Sequence, residues 1–326
     1  LQPFVPFFRN PHLSTIAGNY WRRDLDEKRF PVQARLHQTE PGVEVLVHSQ
    51  QPAGEARGEI ILVHGLEGSS DAGYARSLTQ AALSAGFAAH RFNMRSCGGT
   101  EQLSGKTLYH SGQTSDLLSV LQAVKGRAPV FLAGFSLGGN VVLKLAGELG
   151  EQAKGLIAGV TAVSTPIDLA ACARRLQDRS NFIYSNRFLK RLKQRIRLKE
   201  RLTPGSFSLD GLDRVRSVYE FDDKFTARAF GFGTADNYYA TQSANQFLDR
   251  IQVPTLLVQA KDDPLIPFEV YNHPAFSNNP CLHLLPVDHG GHLGFVSKTK
   301  PRFWLDEVLV QWMQKVRNKV PADLVL

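Results

Sequence analysis

Apolar runs rich in β-branched residues recur along the chain, separated by stretches of helical periodicity. They start at Glu44 (EVLVHS), Glu59 (EIILVHG), Phe87 (FAAHRFN), Pro129 (PVFLAGFS), Gly155 (GLIAGVTAVS), Pro254 (PTLLVQA) and Cys281 (CLHLLP). Their length and composition predict strands. Several are apolar almost throughout, as strands covered on both faces are. Between them, Tyr74 to Ala85, Gln113 to Val124 and Leu137 to Leu149 place apolar residues at helical spacing. This alternation predicts an α/β fold: a mostly parallel central sheet with helices on both faces. Residues 165 to 250 break it, with no buried-strand pattern and many Arg, Lys, Phe, Asn and Gln residues. They read as an inserted helical cap, leaving 41 to 164 and 251 to 326 as the core. Residues 1 to 40, with Pro3, Pro6, Pro11 and Pro31, read as an extended arm packed on that core.

Composition narrows the picture. A 326-residue chain with 43% hydrophobic residues can bury a substantial core, which excludes wholesale disorder. No run approaches the roughly 18 to 20 apolar residues of a membrane helix, and FVPFFRNPHL is too short and Pro-rich for a signal-peptide core. Whether a leader or anchor precedes Leu1 stays open. Three scattered cysteines, Cys97, Cys172 and Cys281, suit neither a disulfide framework nor a zinc site and are compatible with a reducing, cytoplasmic compartment.

The sharpest chemical signal is Gly134-Phe135-Ser136-Leu137-Gly138-Gly139, where a strand pattern meets a helix pattern. A serine on so tight a turn needs glycine neighbours to let backbones approach, and its hydroxyl then stands above the sheet at a helix N-terminus. A hydroxyl is a weak nucleophile at neutral pH and needs a base, itself oriented by a third group. Both candidates follow later strands: Asp262-Asp263-Pro264, then His289-Gly290-Gly291-His292. Asp263 is preferred over Asp262 because Pro264 fixes the turn after it. His292 is preferred over His289 because the two glycines before it permit close approach to Ser136. An acyl intermediate also needs two N–H donors. Leu137, just after the nucleophile, supplies one, and Leu66, in the His64-Gly65-Leu66-Glu67-Gly68 loop after EIILV, supplies the other. There is no GxGxxG with an acidic residue at the ribose position, so a nicotinamide site is excluded, and no cofactor or metal is expected.

These residues resemble the α/β hydrolase superfamily and, within it, the YheT-like hydrolases. The likeness extends to Asn10-Pro11-His12-Leu13, Phe92-Asn93-Met94-Arg95-Ser96-Cys97-Gly98-Gly99, Tyr109-His110-Ser111-Gly112, Val163 to Asp168, Asp236-Asn237-Tyr238-Tyr239 and Gly290 to Phe295. It implies an α/β hydrolase fold and carboxylic ester hydrolysis on short-chain or lipid-like acyl esters, with Ser136, Asp263 and His292 at the charge-relay positions. The departure is Ser96, where a glycine is expected. Arg95, Cys97, His110 and Tyr239 have no evident mechanism and read as structural. Acyl transfer on the same triad and a non-catalytic lipid-binding homologue are the competing functions. A carboxylate-nucleophile hydrolase is excluded by Ser136.

The net charge is +8. Residues 187 to 201 hold eight Lys or Arg and one Glu, a local +7, so the remaining chain is nearly neutral. Leu189, Leu192 and Ile196 recur at spacings of three and four, which predicts an amphipathic helix. One reading docks its basic faces on an anionic membrane, making the protein membrane-peripheral. The preferred reading packs the apolar stripe on the cap and leaves the rest solvated. Nucleic acid finds no support, since aromatics are not interleaved with the charges.

Overall fold

The computed structural model describes residues 2–126 and 128–318. Eight strands form one sheet: β1 (Gln33–Glu40), β2 (Val43–Gln50), β3 (Glu59–Val63), β4 (Ala88–Phe92), β5 (Val130–Phe135), β6 (Gly159–Val163), β7 (Thr255–Ala260) and β8 (Leu282–Val287). Their spatial order is β1-β2-β4-β3-β5-β6-β7-β8. From β4 onward every pairing is parallel, whereas β1 with β2 and β2 with β4 are antiparallel.

Side-chain alternation divides the core into two layers. Ile61, Val63 and Leu132 face α3 (Ser115–Val124) and α4 (Leu137–Leu149), while Ile60, Leu62 and Phe131 face α2 (Gly73–Ser84) and the C-terminal helix (Trp304–Arg317). With both faces covered, β3, β5, β6 and β7 read as mostly apolar runs, while β4 buries His90 and Arg91 as well.

The N-terminal forty residues are more ordered than an extended arm. They contain helix α1 (Pro11–Tyr20), capped by the Asn10 side chain with Pro11 in its first turn, and the edge strand β1. β1 is largely exposed and polar, so it lacked the apolar signature of a buried strand. Between β6 and β7 the regular elements are all helical, joined by loops: α5 (Leu169–Arg175), α6 (Phe182–Leu202), α7 (Val218–Phe221), α8 (Ala227–Ala229) and α9 (Ala235–Gln242). A wide π-type turn over Asp222–Thr226 joins α7 to α8. α10 (Ala275–Asn278) precedes β8, and the C-terminal helix is α11.

α6 packs by its predicted stripe, with Leu189, Leu192 and Ile196 buried in a cluster with Val218, Phe221 and Phe225. Much of its charge is also committed to the body. Arg195 pairs with Glu67 at 2.6 Å, Lys199 is buried against the Glu101 carbonyl and Ser104, Arg197 pairs with Asp213, and Lys193 donates to the Val215 carbonyl at 2.8 Å. No helix among the described residues is long and apolar enough to cross a membrane.

Candidate active site

Ser136 joins β5 to α4 with φ +53° and ψ −123°, a conformation side chains rarely adopt. Its neighbours make it tolerable. A Cβ on Gly134 would collide with the Gly138 carbonyl, and one on Gly138 would collide with the Val63 carbonyl of β3. Helix α4 can therefore approach the strand closely enough to lift the Ser136 hydroxyl off the sheet.

The hydroxyl lies 3.0 Å from His292 Nε2, and His292 Nδ1 lies 2.9 Å from Asp263 Oδ2. The Asp263 carboxylate is buried and also accepts from the Leu265 N–H at 2.8 Å and the Ile266 N–H at 3.1 Å. With the carboxylate accepting from Nδ1–H, Nε2 is left as an acceptor for the serine proton. The neighbouring Asp262 faces elsewhere. It accepts from the Gly291 N–H at 2.9 Å and meets His289 Nδ1 at 3.2 Å. Asp262 and His289 thus brace the loop that carries His292.

That loop is held from the other side by α1. The His292 N–H donates to Thr15 Oγ1 at 2.9 Å. Gly291, at φ +57°, has no room for a side chain beside the Pro11 carbonyl and Thr15, and a Cβ on Gly18 would sit 2.5 Å from Gly294 Cα. The sequence pattern hid this contact, because it depends on small residues on both partners.

Leu66 sits in a tight turn after β3. The Gly65 N–H donates to Tyr74 Oη at 2.9 Å and the Glu67 N–H to Tyr109 Oη at 2.8 Å. Among the described residues, the intervening Leu66 N–H and the Leu137 N–H, in the first turn of α4, have no acceptor. The turn's shape is set from beneath by His64, whose Nδ1 lies 2.8 Å from the Gly65 carbonyl and whose Nε2 accepts from the Met94 N–H at 3.1 Å. Burial pushes its pKa down to about 4, so it is the neutral imidazole that holds both contacts.

An apolar cavity opens beside Ser136, Leu66, Leu137 and His292, walled by Leu108, Phe188, Leu192, Ile196, Phe221 and Phe225. A second groove meets it from the α1 side, lined by Ile16, Tyr20, Tyr184, Arg187 and Arg191 and again reaching Ser136 and His292. Two features of these walls went unnoticed in the sequence. Glu67 is buried between Arg195 and Tyr109 Oη, the latter at 2.9 Å. Asp222, on the π-type turn, accepts from Tyr239 Oη and Thr226 Oγ1, each at 2.7 Å, and burial pushes its pKa up to about 6. Arg195, Tyr109 and Tyr239 lie on other elements than the acids they meet, so spacing along the chain gave no signal of these contacts.

The four residues read as structural sit in packing roles. Arg95 bridges Asp116 at 2.6 Å and Glu40 at 2.8 Å, tying its loop to α3 and β1. Cys97 is fully buried, which drives its thiol up to about 12 and leaves it inert as a nucleophile. His110 lies among Phe230, Phe232 and Tyr238. Tyr239 holds Asp222. Ser96 adopts φ +61°, the region glycine favours, with its hydroxyl against Ser104 and the Thr107 carbonyl. The expected turn is kept despite the side chain.

Residues 59–299 match the sequence profile of the α/β hydrolase fold family, and the chain belongs to that family. Within it the chain is YheT-like: it is 34% identical to YheT of Escherichia coli over 320 residues, 95% of this chain and 92% of that one. Phospholipase ABHD3 of Mus musculus is 30% identical over 79% of this chain, which spans 64% of that relative. A monoacylglycerol lipase of Saccharomyces cerevisiae is 26% identical over 82% of this chain and 61% of its own length. The fold alone is shared with the Pyrococcus furiosus esterase Pf2001, at 17% identity and a TM-score of 0.61 over 90% of this chain and 94% of that one. The protein is an enzyme of the serine esterase and lipase type.

Proposed function

We propose that the protein hydrolyses carboxylic esters with short-chain or lipid-like acyl groups, through Ser136, His292 and Asp263 and an acyl-enzyme intermediate. The observation that carries this reading is the continuous hydrogen-bonded line from Asp263 through His292 to Ser136 at the mouth of an apolar cavity. Ser136 Oγ attacks the ester carbonyl as its proton passes to His292 Nε2, and Asp263 stabilises the imidazolium. The carbonyl oxygen takes up the negative charge, and the Leu66 and Leu137 N–H groups donate to it. Collapse of this intermediate breaks the bond to the alcohol, which leaves with the proton held by His292. Water, deprotonated by His292, then attacks the acyl-serine, and Ser136 recovers its proton as the acid departs.

In this reading residues 165 to 250 act as the cap. They supply the cavity walls from α6, α7 and the π-type turn, and the acyl chain lies against Phe188, Leu192 and Phe225. A phospholipase and a monoacylglycerol lipase among the relatives support the choice of an acyl ester over other serine-hydrolase substrates.

The test is labelling with a fluorophosphonate, followed by hydrolysis of p-nitrophenyl esters across acyl lengths. The wild type should label and turn over, and Ser136→Ala should do neither, its kcat falling by about 10⁴ or more with the fold intact. Absence of labelling in a folded wild type, or equal hydrolysis by the alanine variant, overturns the proposal.

A further inference from the structure

Helix α1 is amphipathic in the inverted sense. Its buried face is made of Ser14, Thr15 and Gly18, which press on the His292 loop, and its exposed face carries Leu13, Ile16 and Tyr20. The inner face must be small for the loop to approach, so the helix's large apolar residues turn outward. The first residues of α6 add Phe182 and Ile183, which are 65% and 73% exposed. Side chains link the two elements: the His12 and Tyr184 rings stack at 5.7 Å, and Arg187 reaches Tyr20 Oη at 3.4 Å with its guanidinium over the Tyr20 ring. Among the described residues, five of the nine large apolar side chains that are exposed therefore gather on this one rim. It borders the groove that leads to Ser136 and His292.

Charge identifies the occupant. Arg187, Lys190 and Arg191, on the first half of α6, are the cations next to this rim, and none of them has a carboxylate partner among the described residues, in contrast to Arg195 and Arg197 further along the helix. An apolar patch flanked by unneutralised cations fits an anionic lipid surface, into which side chains such as Phe182 and Leu13 insert while the arginines meet headgroups. It fits a second copy of the chain poorly, because related copies would bring like charges together.

We propose that the α1 face and the start of α6 form a docking surface for anionic bilayers, holding the groove against the membrane so that an ester enters from the lipid phase. The delivery role rests on the ester-hydrolase reading, but the docking itself does not. Membrane contact thereby moves from the basic faces of residues 187 to 201, largely committed to the body, to one end of that helix and to α1.

Flotation of the full chain with vesicles of phosphatidylcholine, alone or mixed with phosphatidylglycerol, tests it. Wild type and Ser136→Ala should both float with the mixed vesicles, more weakly at high salt, and should bind pure phosphatidylcholine less. The triple variant Leu13→Ser, Phe182→Ser, Ile183→Ser should lose about tenfold or more in vesicle binding and keep its hydrolysis of a soluble p-nitrophenyl ester. Lys190→Glu, on an exposed position, should weaken binding to mixed vesicles alone. Wild type that stays unbound, a folded triple variant that floats like wild type, or a wild-type dimer that the triple variant dissolves overturns the proposal. Flotation by an enzyme that fails the labelling test would leave docking standing and remove the hydrolase reading.

Discussion

Asp262 and Asp263 share a peptide bond, yet their carboxylates serve different histidines. Asp263 folds back on the N–H groups two and three residues ahead, a local turn that aims its other oxygen at His292. Asp262 holds the loop through the Gly291 N–H. Replacing each by asparagine separates the roles. Asp263→Asn should lower kcat by about 10⁴, because the amide favours the wrong imidazole tautomer, and Asp262→Asn by about tenfold or less. Steady-state kinetics on a soluble ester measure both, and equal losses would remove the assignment of Asp263 as orienter.

At the scale of elements, the contact that matters is α6 against the turn after β3. Arg195 reaches across to Glu67, one residue past the Leu66 N–H, and both side chains are largely buried. A buried pair of this kind costs much to break from one side and little to replace whole. Arg195→Met should destabilise the fold by about 3 to 5 kcal/mol, and adding Glu67→Gln should restore most of it, as read by urea denaturation. If the double variant is as unstable as the single one, the pair does not tie the cap to the turn.

For the whole molecule, two buried acids give stability a pH dependence. Asp222 and Asp306 have pKa values pushed up by burial to about 6, above their unfolded values, so the unfolded chain releases these protons first. Each contribution is fully present below pH 4 and is lost as the pH rises through about 6. His64 acts oppositely: its folded pKa is about 4, so acidification below its unfolded value near 6.5 removes stability. The terms separate by substitution. Relative to wild type, Asp222→Asn should gain up to about 3 kcal/mol between pH 4 and pH 7. A difference that stays flat with pH would show that Asp222 ionises as easily in the folded chain as in the unfolded one.

The local sequence determined whatever depends on short-range pattern. Apolar runs marked β2 to β8, most nearly continuous in the inner strands such as β3 and β5, where burial on both faces demands them, and the glycines around Ser136 marked a turn that only small residues permit. The edge strand β1 and helix α1 stayed hidden for the same reason in reverse. β1 buries little apolar surface, and α1 turns its small residues inward. The order of Ser136, Asp263 and His292 was legible, but their meeting was not, because a separation of 156 residues between serine and histidine closes only when β5 and β8 join one parallel sheet. Tertiary structure alone decided that Thr15 holds the histidine loop, that Arg195 and Lys199 spend their charge inside the protein, and that the apolar face of α1 is left for solvent or for a membrane. Each depends on which surfaces the packed sheet brings within a few ångströms, and residue spacing along a chain carries no record of that.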